Sequence, residues 1–92
     1  MSSFLALLSA YYLCDAAAAL RPLPPNEALA CAARYEAVRS RFADSPAPGP
    51  ADRRASYLRF KAWEASNVET VSRMKAEAAR RAALRLMPGE AA

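Results

Sequence analysis

The chain has no histidine, two cysteines and two glycines among its 92 residues. Without histidine, proton transfer near neutral pH would fall to carboxylates, lysine or tyrosine. Two cysteines alone leave a four-ligand zinc site short of donors. No enzyme chemistry, cofactor or metal is therefore expected. Both glycines, Gly49 and Gly89, lie outside the stretches with helical spacing. No run alternates β-branched and polar residues as a half-buried strand would. The most apolar stretch, Met1 to Leu20, is interrupted by Asp15 and lacks the basic start of a secretory signal. It is also short of the ~20 apolar residues that span a bilayer. A helix buried around most of its circumference is expected there, with no membrane role. The cytoplasm, or the inside of an assembled particle, is a more natural setting than secretion.

What is abundant is alanine and arginine, both strong helix formers. The expected fold is all-α. The formal charge is +4, and the excess is local: residues 53 to 85 hold nine Arg or Lys against three Glu. Basicity of this degree suits nucleic acid, an anionic surface or an acidic protein, and selects none of them. A chain this short makes one small domain at most, and its core needs help from a cross-link or a partner.

Cys14 and Cys31 stand nearly equally far from the turn Arg21-Pro22-Leu23-Pro24-Pro25. In an antiparallel helical hairpin, residues equidistant from the bend face each other. The same register pairs Phe4 with Phe42, Leu8 with Val38 and Tyr11 with Tyr35. A hairpin over residues 1–43 is expected, with a first helix from about Ser3 to Leu20 and a second from about Pro25 to Ala43. Ser2 or Ser3 would cap the first helix. Pro22 would stop it, and Pro24 or Pro25 would open the second. The second helix would turn Ala28, Cys31, Ala32, Tyr35, Val38 and Phe42 inward, with Arg34, Glu36, Arg39, Ser40 and Arg41 on the other side. Cys14 and Cys31 then form either a disulfide or a buried thiol contact. A reducing compartment favours the contact without a bond.

Residues 44–50 read as a proline-rich linker. From 51 to 87 the spacing predicts a basic amphipathic helix or helix pair, and 88–92 form a tail. Read in sevens, Tyr57, Phe60, Glu64, Asn67, Val71, Met74 and Ala78 share one seam. It is polar at Glu64 and Asn67, and Ser66-Asn67-Val68-Glu69 has the form of a capping box. Either one long helix carries a polar layer, or it breaks near Ser66.

Tyr57, Phe60, Trp63, Val71 and Met74 are the interface candidates, to be covered by a partner or by the hairpin. Aromatics set among Arg53, Arg54, Arg59 and Lys61 also suit a single-strand surface. The row Arg59, Arg73, Arg80 would supply its phosphate contacts. Asp15 is expected at a solvated edge or paired with Arg21 or Arg34. The expected role is a non-enzymatic helical interaction or structural subunit of a larger assembly, a virion component being one case. Its partner would be another protein or a second copy. The alternative is a nucleic-acid-binding or packaging accessory protein acting through the basic C-terminal region.

Overall fold

Ser3 starts the first helix, its Oγ accepting a hydrogen bond from the Ala6 N–H at 3.1 Å. The computed structural model describes residues 3–45 and 49–85, and among them the fold is all-α. Four helices follow in order: α1 (Phe4–Leu20), α2 (Pro25–Ser40), α3 (Pro50–Ser66) and α4 (Val68–Arg85). Residues 46–48 of the linker, the tail 88–92 and the expected helix end at 86–87 lie outside the described residues.

Local chemistry explains the ends. Arg21, ahead of Pro22, is extended and stops α1. Pro25 opens α2 at a position whose N–H would have had no helical partner. That helix ends at Ser40, short of Ala43, because Arg41 and Phe42 close a turn onto Val38 and Arg39. Between α3 and α4 a single residue makes the break. The Asn67 N–H bonds to the Glu64 carbonyl and its own carbonyl accepts from Val71. Its side-chain Nδ2 donates to the Trp63 carbonyl at 2.8 Å. A short amide side chain that competes for backbone partners suits such a junction. Among the described residues the C-terminal region is thus two helices, α3 and α4.

α1 is the middle element, with α2 on one flank and α4 on the other. Against α2, Phe4 meets Phe42 edge-on at 5.6 Å and Tyr11 meets Tyr35 at 5.5 Å. Further along, Cys14 and Cys31 are joined by a disulfide, with Cα atoms 5.6 Å apart. A bond stands where the sequence favours an unbonded contact. Beside it on α1 the half-buried Ala17 is a small residue, which suits a close approach of the two helices. Ala28 and Ala32, expected on the seam, are exposed. Of the stretch from Ala28 to Ala32, Cys31 alone turns partly inward.

α4 runs alongside α1 in the same direction. Lys75 sits 5.4 Å above the Tyr12 ring, and Ala82 and Arg85 lie beside Ala17 and Leu20. α3 crosses the other end of the pair. Its Phe60 ring packs on Tyr11 and Phe42, and Trp63 packs edge-on against Phe4. Leu8, Val38, Phe60 and Val71, one from each helix, meet in a single core with Tyr12 and Ala78. α1 and α2 therefore share one interior with α3 and α4.

Candidate functional site

α3 presents two faces of opposite character. Inward, Ser56, Phe60 and Glu64 recur at helical spacing and are buried. Outward, Tyr57 and Leu58 remain 43% and 52% exposed, among exposed Arg54, Lys61, Ala62 and Ala65. Of the five interface candidates, Phe60 and Val71 are buried by the chain's own helices. Trp63 and Met74 are half-buried against the same core. Tyr57 alone stays open. α4 packs along α1 on the side away from α2.

Three polar clusters hold α3 in place. In the first, the Tyr12 hydroxyl donates to the Glu64 carboxylate, which also takes the Lys61 ammonium at 2.6 Å. This accounts for the polar position on the seam. Burial pushes the Glu64 carboxyl up, but the Lys61 and Tyr12 hydrogen bonds outweigh it and the net shift is downward. Burial, the Glu64 hydrogen bond and the nearby carboxylate push the Tyr12 phenol far above its ordinary value.

In the second cluster, Arg39 is only 4% exposed, although its helical position predicts the solvent side. α3 packs across that side. One Arg39 guanidinium nitrogen donates to Ser56 Oγ at 2.6 Å and the other bonds Glu36 at 2.5 Å. The Glu36 hydrogen bond holds the Arg39 pKa above its ordinary value against desolvation. In the third, Arg59 Nε donates to the Phe42 carbonyl at 2.7 Å and pairs with Asp44 at 3.7 Å.

The possible phosphate contacts are divided between two helices. Arg59 belongs to α3, Arg73 and Arg80 belong to α4, and the break at Asn67 lies between them. Arg80 pairs with Glu77, while Arg73 is exposed. Asp15 is exposed. Its two expected partners are engaged elsewhere, Arg21 with Glu27 and Arg34 with Cys14.

The disulfide borders an open cleft of about 170 Å3, lined in part by Leu13, Leu23, Arg34 and Arg85. Arg34 donates a hydrogen bond to Cys14 Sγ at 3.0 Å. Sequence reasoning missed this contact, as it missed Arg39–Ser56. Arg34 is three residues after Cys31, and i,i+3 adjacency was its available signal. Among the described residues, no group of three or more His, Cys, Asp or Glu could hold a metal ion. No helix among them is long and apolar enough to cross a membrane. No protein-family model, curated protein or solved structure matches the chain.

The Glu64 cluster has a pH signature. The lowered Glu64 pKa contributes stability that is present above the unfolded value near ~4.3 and is lost as pH falls through the folded value. The raised Tyr12 pKa contributes stability below about 10, lost as pH rises beyond it. Thermal melts should therefore fall off on both sides. Tyr12→Phe should cost about 1–3 kcal/mol at neutral pH, the usual penalty for a broken buried hydrogen bond, and should abolish the alkaline limb that Tyr12 supplies. An unchanged melting profile in that variant would remove the Tyr12–Glu64 bond from the account of stability.

Proposed function

We propose that the chain is a non-enzymatic helical interaction or structural subunit of a larger assembly. In this reading α1 and α2 form an antiparallel hairpin scaffold, and the helix pair α3–α4 carries the contact surface. The observation that supports it is the outer face of α3. Tyr57 and Leu58 lie open there, next to Arg54 and Lys61. Tyrosine and arginine are the residue types that most often anchor protein interfaces. The helix beneath is held by Phe60, by Arg39 to Ser56 and by Arg59 to the Phe42 carbonyl. A surface held this way loses little freedom on binding. The partner is another protein or a second copy, in a virion or another multi-protein complex.

The second reading, nucleic-acid binding or packaging, draws on the same face. Arg53, Arg54 and Lys61 are exposed around Tyr57, an aromatic-and-cation arrangement that suits stacked bases. The engagement of Arg59 and Arg80 by acidic neighbours weighs against it.

A photo-crosslinking residue at position 58, in cells expressing the full chain, should yield a discrete protein adduct or a covalent dimer. Leu58→Asp should weaken that association by at least about tenfold. Folded stability should change by no more than about 0.5 kcal/mol, because the site is on the surface. The association should persist at high salt. Crosslinks to nucleic acid, with binding that collapses as ionic strength rises, would establish the second reading. No adduct at position 58 would sink the α3 face as the contact surface.

A further inference from the structure

We propose that Cys14–Cys31 is an exchangeable disulfide: a small anionic thiol lodged in the adjoining cleft attacks Cys31, and Cys14 leaves as a thiolate held by Arg34. The inference is independent of the assembly reading. Three observations converge on it. The two sulfurs differ in setting, since Cys14 is buried and Cys31 is half-buried. Both residues line an open cleft of about 170 Å3, room for a small organic thiol to approach. And the Arg34 guanidinium donates to Sγ of the buried member at 3.0 Å.

The chemistry follows from that asymmetry. A thiolate R–S⁻ forms a bond to Cys31 Sγ as the Cys14–Cys31 bond breaks. The electron pair passes to Cys14 Sγ, where the guanidinium stabilises the new charge. A cation beside a cysteine lowers its pKa, and a lower-pKa thiol is the better leaving group. A second thiol then attacks the R sulfur of the mixed disulfide and releases Cys31. The product R–S–S–R carries away the oxidation, and the protein gains two electrons and two protons.

The cleft also bears on the choice of thiol. Arg34 and Arg85 line it with one acid, Glu27, and Glu27 is paired to Arg21 at 3.7 Å. The exposed Asp15, next to Cys14 on α1, is the charge that opposes thiolate formation; Arg34 from α2 and Arg85 from α4 favour it. The balance suits a thiol bearing carboxylates over one bearing an amine.

The test uses the full chain with glutathione and cysteamine as probes. Reduction should be faster with glutathione, compared per unit of thiolate, and the preference should shrink as salt is added. Arg34→Gln should slow glutathione attack about threefold to tenfold, with Arg34→Lys partly restoring it. In the fully reduced wild-type chain, alkylation by iodoacetamide against pH, resolved by tandem mass spectrometry, should give Cys14 a pKa about one unit below the usual ~8.5. This measurement needs no variant, so it decides the matter even where Arg34→Gln does not fold. A Cys14 pKa at or above the ordinary value overturns the proposal, whether the reduced cleft persists or opens. Equal rates with the two thiols, or an Arg34→Gln rate matching wild type, overturn it as well.

Discussion

Replacing both cysteines by serine is expected to remove about 3 kcal/mol of folding stability. The bond closes a short loop, with a sequence separation of 17, and loops of that size constrain the unfolded chain by about this amount. Against the roughly 5–15 kcal/mol that holds an ordinary domain together, the loss is large. A shift of about 12–24 °C in the midpoint follows for a chain of this length. The damage should also be uneven. Residues 25–30 of α2 are exposed throughout, and Cys31 is the first of that helix to turn inward. Without the bond, amide exchange should accelerate in the first turns of α2 while Leu8, Val38 and Phe60 stay protected. Melts of the double-serine variant, with exchange read residue by residue, check both parts. A midpoint within a degree or two of wild type would mean that packing alone holds the two helices together.

Phe60→Ala should cost about 3–5 kcal/mol, the range for emptying a buried aromatic site. Phe60 is 1% exposed and is the largest fully buried side chain. It touches Tyr11 of α1 and Phe42 just past α2, so its loss leaves a void where three segments converge. α3 would keep its polar ties, Arg39 to Ser56 and Glu64 to Tyr12, but lose the apolar contact that seats it. Chemical denaturation gives the magnitude. The same variant should weaken any association through Tyr57 and Leu58, since the face they occupy would no longer be held. A cost under about 1 kcal/mol would show that the core re-forms without this ring.

Much of the secondary structure was readable from residues a few positions apart. Ser3 as a cap, Pro22 as a stop and Pro25 as a start each act on the backbone beside them, so their effect needs no partner from afar. The near-equal spacing of Cys14 and Cys31 about the proline turn names facing pairs for the same kind of reason. The turn is short and both helices have one rise per residue. Phe4 does meet Phe42, and Tyr11 does meet Tyr35. The candidate site was less legible. Of the seam read in sevens, Phe60, Val71 and Met74 lie in or against the core while Tyr57 lies open, and periodicity could not tell whether a partner or the chain itself covers each.

Local chemistry along the chain fixed the helical class and the turn that brings Cys14 to Cys31. It also set the polar signals around Asn67, because propensity, capping and periodicity are local properties of the backbone and its near neighbours. Only the tertiary structure decided what meets what. It set α4 against the second flank of α1 and crossed α3 over the end of the pair. That crossing buries Arg39 on the side of α2 predicted to face solvent, and it is tolerated because Ser56 and Glu36 supply acceptors. It also joined two thiols into a bond, and left Ala28 and Ala32 open to solvent. Burial depends on which surfaces arrive from distant parts of the chain. A helix carries its own apolar stripe, but the stripe does not specify which neighbour will cover it.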